Sequence, residues 1–257
     1  MTRHIPDCLR SAFILCLFLG GVQILFPGLS SAQEDDPGFI RALQTDSAPI
    51  ENYYYLTSYF NNVASPYYGF YLYGEGLFAL GKDLGVEMDF PNLITREPLG
   101  TGPAILGPIG LALRYEFYHF GDWNSQTAGA FSIEAGGSYG FSNHTFPWVG
   151  SSWCVEAMGG YRVGNLFLQG NYTYQGAIDP QVATEWQANT SLGYRLGSDW
   201  YVQTEADFTD VTSPYPGTSW TFIPQIAFQP DEWLFELGES LNETPAGVTQ
   251  LMVARAL

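Results

Sequence analysis

Hydrophobic and polar residues alternate along most of this chain with a period of two. The longest such stretch runs over residues 127–142, where Phe131 and Ile133 fall in one set of positions and Ser132 and Glu134 in the other. Because successive side chains of a strand point to opposite faces, the stretch is predicted to be a strand with one apolar and one polar surface. Its length exceeds the ~5–6 residues usual in globular sheets and suits a tilted membrane crossing.

The same alternation recurs along the chain and predicts an all-β fold, a closed antiparallel transmembrane β-barrel of about 12 strands. The predicted strands are 53–61, 67–80, 84–90, 105–119, 127–142, 152–163, 165–176, 185–196, 199–209, 219–229, 231–238 and 247–256. Ten strands are the alternative, because four of these segments are short or alternate poorly. Tight turns such as Gly164-Asn165 alternate with longer loops, as the periplasmic turns and outer loops of bacterial barrels do.

The apolar faces of the predicted strands carry no ionised residue. A basic residue facing lipid at the bilayer midplane costs ~2–4 kcal/mol, so its absence is expected of a lipid-facing surface. A soluble β-sandwich is the alternative, but the polar faces of sandwich strands usually carry many Lys and Arg. After residue 32 this chain contains one Lys, so the barrel is favoured.

The chain begins with a short basic segment, an apolar run over 11–29 and small residues at Ser30-Ser31-Ala32. This order predicts a secretory signal peptide over 1–32, cleaved near Ala32. Residues 33–51 contain acids and two prolines without periodicity, and they predict a flexible periplasmic lead-in. The transmembrane β-barrel is predicted over 52–257, and the location is the bacterial outer membrane.

Net charge restricts the partners. The formal charge is −17, and removal of Arg3, Arg10 and Asp7 with the signal peptide leaves seven basic and 25 acidic residues. Nucleic acid is excluded as a partner, since phosphate binding needs a basic surface. The expected partners are outer-membrane lipid, lipopolysaccharide and a small-molecule solute. The abundant Tyr, Phe and Trp fit aromatic girdles at the membrane surfaces.

The polar faces place acidic and basic residues together in the predicted interior. The candidate lumen-lining residues are Arg114, Glu116, Glu134, Glu156, Arg162, Glu185, Arg195, Glu205 and Asp207. One interpretation is that the arginines pair with neighbouring carboxylates and brace the wall, with Arg114 and Glu116 or Glu134 as the first pair. The other is a passive channel or transporter whose excess of acid favours cations.

Catalytic and metal chemistry are not supported by the motifs. Lipid A deacylases of the outer membrane carry a His-x-Ser-Asn segment on a strand, and the nearest stretch here, Tyr118-His119-Phe120-Gly121, has Gly in place of Ser. The histidines and Cys154 lack ligand spacing. We therefore expect no catalytic site, no metal and no cofactor, and a lipid-modifying enzyme is the least favoured alternative.

Over nearly all of the mature chain, the sequence resembles bacterial outer-membrane β-barrels. It is also similar to the transporter barrels associated with phenol-degradation meta pathways, through Tyr73-Gly74-Glu75-Gly76, the segment 98–103 and Leu113-Arg114-Tyr115-Glu116-Phe117. That resemblance implies a transport function. Leu257 departs from the C-terminal aromatic that is general in such barrels.

Overall fold

The computed structural model describes residues 48–61, 70–95, 104–121, 126–140, 150–180, 182–213, 216–230, 232–242 and 248–256. They form the strands β1 (Tyr53–Asn61), β2 (Phe70–Ala79), β3 (Leu84–Thr95), β4 (Ala104–Leu106), β5 (Ile109–Phe120), β6 (Thr127–Tyr139), β7 (Ser152–Val163), β8 (Leu166–Ala177), β9 (Thr184–Arg195), β10 (Trp200–Ser213), β11 (Gly217–Phe228), β12 (Trp233–Asn242) and β13 (Val248–Ala256). Within these ranges no helix is long and apolar enough to cross a membrane.

The strands form a single closed antiparallel sheet. Neighbours in sequence pair with one another, and the sheet closes between β1 and β13, where Tyr53 lies opposite Ala256. β4 and β5 both pair with β3 in one register and together make one strand of the wall. The barrel therefore has twelve strands, and the prediction from the alternation is confirmed.

Burial alternates along the strands as the sequence predicts. Phe131 and Tyr161 are exposed on the outer surface, whereas Glu134 and Arg162 are buried. Polar side chains thus lie on the inner face and apolar side chains on the outer face, the arrangement expected of a barrel in a membrane. The predicted parity of these strands is confirmed.

The ends of several strands differ from the prediction. β3 continues to Thr95, β10 to Ser213 and β12 to Asn242, each into a segment that was predicted as a loop. Prolines and polar residues lower the β-propensity of these segments, so the sequence does not predict strands there. The free N–H and C=O groups of the neighbouring strand nevertheless pair with them and lengthen the strands. As a result Glu239, predicted in a loop, is exposed on the outer parity of β12, near the end of that strand.

Two prolines interrupt the pairing between β3 and the wall strand formed by β4 and β5. The register on both sides of the gap places Pro91 opposite Pro108, and no pairing joins the three positions around them. β3 also bulges here, since Pro91 and Asn92 together lie opposite Tyr73 of β2. Proline has no backbone N–H to donate, which accounts for the interruption.

Some predictions concern residues outside the described ranges. They are the signal peptide 1–32 with its cleavage near Ala32, the lead-in up to residue 47, the segment 98–103, Leu257, and the strand ends at 67–69, 141–142, 231 and 247.

Candidate functional site

Arg114 organises the inner face of β3, β5 and β6. Its side chain is fully buried, its Nε donates to Glu134 Oε2 at 2.8 Å, and its Nη2 donates to Glu87 Oε2. The predicted pair of Arg114 with Glu134 is confirmed. Glu87 is a second partner, because Arg114 lies opposite Gly85 and Glu87 follows two residues later on the same face.

Three tyrosines surround a neighbouring pair of carboxylates. The hydroxyl groups of Tyr53 and Tyr55 donate to the two oxygens of Glu75, the first at 3.2 Å. The hydroxyl of Tyr73 lies 2.8 Å from Glu75 Oε2 and 2.5 Å from Asp89 Oδ1. Glu75 and Asp89 lie opposite each other on β2 and β3, and the alternation alone does not associate them with these tyrosines.

Carboxylate oxygens of Glu75, Glu87 and Asp89 lie within 4.8 Å of one another. Such a set can hold a metal ion, and no metal was expected from the sequence. Arg114 and the tyrosines already supply hydrogen-bond donors to these carboxylates, which accounts for their proximity. The arrangement therefore gives no reason to introduce an ion.

The inner face of β10 to β12 carries amides and acids. Gln225 Nε2 donates to Glu205 Oε2 at 2.8 Å, and Gln203 Nε2 donates to Glu236 Oε1. Asp207 follows Glu205 on the same face of β10 and is also buried. Glu205 and Glu236 are thus held by amide donors, whereas Glu87 and Glu134 are held by the Arg114 guanidinium.

Arg162 and Arg195 lie next to the tight turns at one end of the barrel. Arg162 Nε donates to the carbonyl oxygen of Gly164 at 3.1 Å, and Arg195 Nη2 donates to that of Ser198 at 2.6 Å. Each guanidinium also lies over an aromatic ring, with 5.1 Å and 5.5 Å between its central carbon and the ring centroid. These contacts fix turn carbonyls, a role that the predicted bracing by carboxylates did not include.

Glu156 and Glu185 are held by neutral donors. Glu156 lies opposite Glu134 in the register of β6 and β7, and its Oε2 accepts from the Thr173 hydroxyl at 2.9 Å. Glu185 is partly buried, and its Oε1 accepts from Gln187 Nε2 at 2.6 Å. Both belong to the inner parity of their strands.

The chain that precedes β1 turns into the barrel. Ala48 is fully buried and packs in one cluster with Met158, and its carbonyl oxygen accepts from the Ser132 hydroxyl. The backbone N–H of Ile50 donates to Glu116 Oε2 at 3.1 Å. Residues 48–50 therefore contact the inner faces of β5, β6 and β7. This part of the predicted lead-in occupies interior space beside Glu116.

Solved structures share this fold, although no family model and no curated protein matches the sequence. The NanC porin in its rhombohedral crystal form has a TM-score of 0.53 at 8% identity, over 79% of this chain and 100% of that one. The COG4313 outer membrane channel from Pseudomonas putida F1 gives 0.52 at 12%, over 85% and 100%. The KdgM porin gives 0.51 at 11%, over 80% and 99%.

At such low identities the similarity shows the fold alone. The chain has the β-barrel fold of outer-membrane porins and channels, and the predicted resemblance to such barrels is confirmed. The narrower resemblance to the meta-pathway barrels stays a prediction. So does the absence of an enzymatic role.

Proposed function

We propose that this protein is a narrow passive channel of the bacterial outer membrane for small solutes, with a preference for cations. The observation that carries the proposal is the excess of acid inside a closed barrel. The nine candidate lumen-lining residues comprise six carboxylates and three arginines, and two of those arginines donate to turn carbonyls. Carboxylates that line a pore attract cations.

The outer surface supports the proposed location. Aromatic side chains of the outer face, of which Trp153 and Trp186 are exposed, cluster near the loop ends of β7 to β9. The ring centroids are 5.2 Å apart for Trp153 and Tyr174 and 4.2 Å apart for Tyr174 and Trp186. Trp200 and Phe228 pair at 4.7 Å near the opposite end. Aromatic belts of this kind suit the two interfaces of a membrane. Lipid and lipopolysaccharide would then surround the barrel, after signal cleavage near Ala32.

Barrel size supports a narrow path. Eight strands leave an interior that side chains just fill, and sixteen leave an aqueous channel, so twelve strands give an intermediate interior. Residues 48–50 take up part of that interior. The solutes that fit such a path are small ones.

The charge inside argues against acidic solutes. The KdgM porin was solved in complex with disordered oligogalacturonate, whose sugars carry carboxylates. In this barrel an anion would pass buried carboxylates such as Glu134, Glu156 and Glu205. Like charges repel, so we expect anions to be disfavoured.

Conductance in planar bilayers tests the proposal. The purified protein should conduct with cation preference, and the Glu134→Gln/Glu156→Gln double variant should show a smaller preference, because fixed charge in the lumen sets ion partition. The matched control is Glu232→Gln/Glu239→Gln, which removes the same charge from two exposed positions. Equal loss of preference in both double variants would contradict an origin in the lumen.

A non-conducting structural or interaction barrel is the second candidate. The observations that favour it are the buried ion pairs of Arg114 and the packing of residues 48–50 inside the wall. Absence of any conductance, together with no solute uptake by intact cells that carry the protein, would establish this alternative.

A further inference from the structure

We propose that an apolar layer inside the barrel closes the lumen and acts as a gate, so that ions and solutes pass only when the side chains of this layer separate. The layer consists of six residues that belong to one buried cluster: Tyr53, Leu77, Phe167, Tyr201, Ile223 and Met252. The role of the layer as a gate rests on the proposed channel function. Closure of the lumen can be measured without conduction.

The side chains of the apolar layer point into the barrel. Ile223 lies opposite Glu205 in the register of β10 and β11, and Met252 lies opposite Glu236 in that of β12 and β13. Residues directly opposite each other on antiparallel strands point to the same face. Both carboxylates are on the inner face, so both apolar side chains are there too.

Burial shows that the lumen is filled at this level. Leu77, Ile223 and Met252 are 0% exposed. A side chain on the wall of a water-filled lumen would expose part of its surface, so these values mean that other atoms occupy the space beside it. Toward the loop end of β8, the inward-facing Thr173 and Gln175 are partly exposed. The barrel is therefore more open toward its loops than at the apolar layer.

The layer reaches from one side of the barrel to the other. In the order of the wall strands, with β4 and β5 taken as one strand, β8 is the sixth strand from β1 in either direction, so β1 and β8 lie on opposite sides. Tyr53 belongs to β1 and Phe167 to β8, and both are members of the same buried cluster. Apolar side chains thus follow half of the circumference without a polar gap in their contacts.

The end of the lead-in continues the apolar contacts on the remaining side. A Cβ at Gly85 of β3 would lie 3.1 Å from Leu77 Cδ1 and 3.3 Å from Ile50 Cγ2, so the Ile50 side chain stands next to the layer. Ala48 packs against Ala130 of β6 and Met158 of β7. Residues 48–50 therefore fill the lumen where the six residues of the layer do not reach.

A layer of this composition blocks ions by its chemistry. Water leaves an apolar constriction, and an ion that entered it would lose its hydration without gaining a hydrogen-bond partner. The guanidinium groups of Arg162 and Arg195 lie over the rings of Phe167 and Tyr201. Such contacts hold the two rings in place, so opening of the gate has to break or move them.

Planar-bilayer recordings of the purified mature protein test the gate. The Ile223→Ser/Met252→Ser variant should raise the mean conductance at least about twofold, because a smaller and more polar layer admits water. The matched control is Ile226→Ser/Leu251→Ser, which makes similar changes at exposed outer positions of β11 and β13. Heat-dependent gel mobility confirms that both variants are folded. An unchanged or absent conductance in the folded inner variant, or an equal rise in the control, would overturn the proposal.

Thiol labelling tests closure in milder variants. Cys154 is first changed to Ala, because it is partly exposed, and one cysteine is then introduced by Ile223→Cys or Thr173→Cys. In detergent, where both ends of the barrel are accessible, a charged methanethiosulfonate should label Thr173→Cys at least about tenfold faster than Ile223→Cys, which reacts only when the layer opens. Equal labelling rates would overturn the closure.

The outcomes distinguish the gate from the channel function. Slow labelling of Ile223→Cys, together with conductance that appears only in Ile223→Ser/Met252→Ser, would support the closed layer and refute the channel function of the parent. Steady conductance of the parent with cation preference, together with fast labelling of Ile223→Cys, would support the channel and refute the gate.

Discussion

Arg114 is a single buried cation on which two carboxylates depend. Its Nε and Nη2 donate to Glu134 and Glu87 on the two neighbouring strands. Removal of one member of a buried ion pair leaves uncompensated charge, which costs more than the net value of the pair itself. The effect of a substitution here therefore depends on what happens to the partners.

Arg114→Met should lower the free energy of unfolding by about 3–5 kcal/mol, because Glu87 and Glu134 lose their cation. The triple variant Arg114→Met/Glu87→Gln/Glu134→Gln should recover much of that loss. Urea unfolding in lipid vesicles, monitored by gel mobility, measures the free energy of unfolding of both variants. Arg255→Met, whose partner Glu232 is exposed, should cost about 1 kcal/mol or less. Equal costs at the two arginines would contradict the argument.

Gly110 is a position where the wall has no space for a side chain. A Cβ there would overlap the carboxylate of Asp89, which lies 2.5 Å from the Tyr73 hydroxyl. Gly110→Ala should therefore cost about 1–3 kcal/mol by overpacking. Gly217→Ala is the control, since nothing lies within 4 Å of a Cβ at that position. The urea midpoints of both variants test the difference.

At the scale of the strand, alternation is a local property and could be read from the sequence. It identified all twelve wall strands and the inner parity of Glu134 and Arg162. The pairing of Glu87 with Arg114 could not be read in the same way. That contact depends on the register between β3 and β5, which are separated in sequence, and period-two patterns fit several registers in steps of two.

Membrane insertion should discriminate between the two faces of neighbouring strands. Ala157 is exposed on the outer parity of β7, and Ser138 is on the inner parity of β6. Ala157→Arg should impair insertion into lipid vesicles, with a cost of about 2–4 kcal/mol if the residue lies near the midplane, whereas Ser138→Arg should insert nearly as the parent does. Similar insertion yields for both variants would count against the assigned register.

The seam with opposed prolines should be the less protected part of the wall. Backbone amides near Pro91 and Pro108 lack continuous pairing, whereas β7 and β8 pair without interruption from Ser152 to Val163. We expect faster hydrogen exchange at Asn92 and Gly107, which lie in the interrupted seam, than at the centre of β7. Exchange rates can be measured in detergent by mass spectrometry or NMR. Equal protection at the proline seam and at the pairing of β7 with β8 would refute the expectation.

At the scale of the whole molecule, the end of the lead-in shares the interior with the polar side chains. Alternation could not predict this, because residues 48–50 have no periodic pattern and their partners lie on β5, β6 and β7. In the proposed channel, the polar lining and the inserted segment together determine how wide the solute path is.

Loosening that segment should widen the path. Glu116→Ala removes the acceptor of the Ile50 N–H and should raise single-channel conductance, whereas Glu116→Gln keeps a carbonyl oxygen at that position and controls for the lost charge. Planar-bilayer recordings of the two variants make the comparison. A rise of equal size in both would assign the effect to charge and not to the segment.

The contacts of this segment also bear on the order of folding. Ala48 meets Ser132 across 84 positions of sequence, and Ile50 meets Glu116 across 66. Both partners lie on strands made later than the segment during synthesis, and contacts of such long range form only after the intervening chain is in place. Residues 48–50, which leave the ribosome before every barrel strand, are therefore among the last to reach their final position. With the proposed outer-membrane location, they stay accessible to periplasmic chaperones and proteases until the wall has formed.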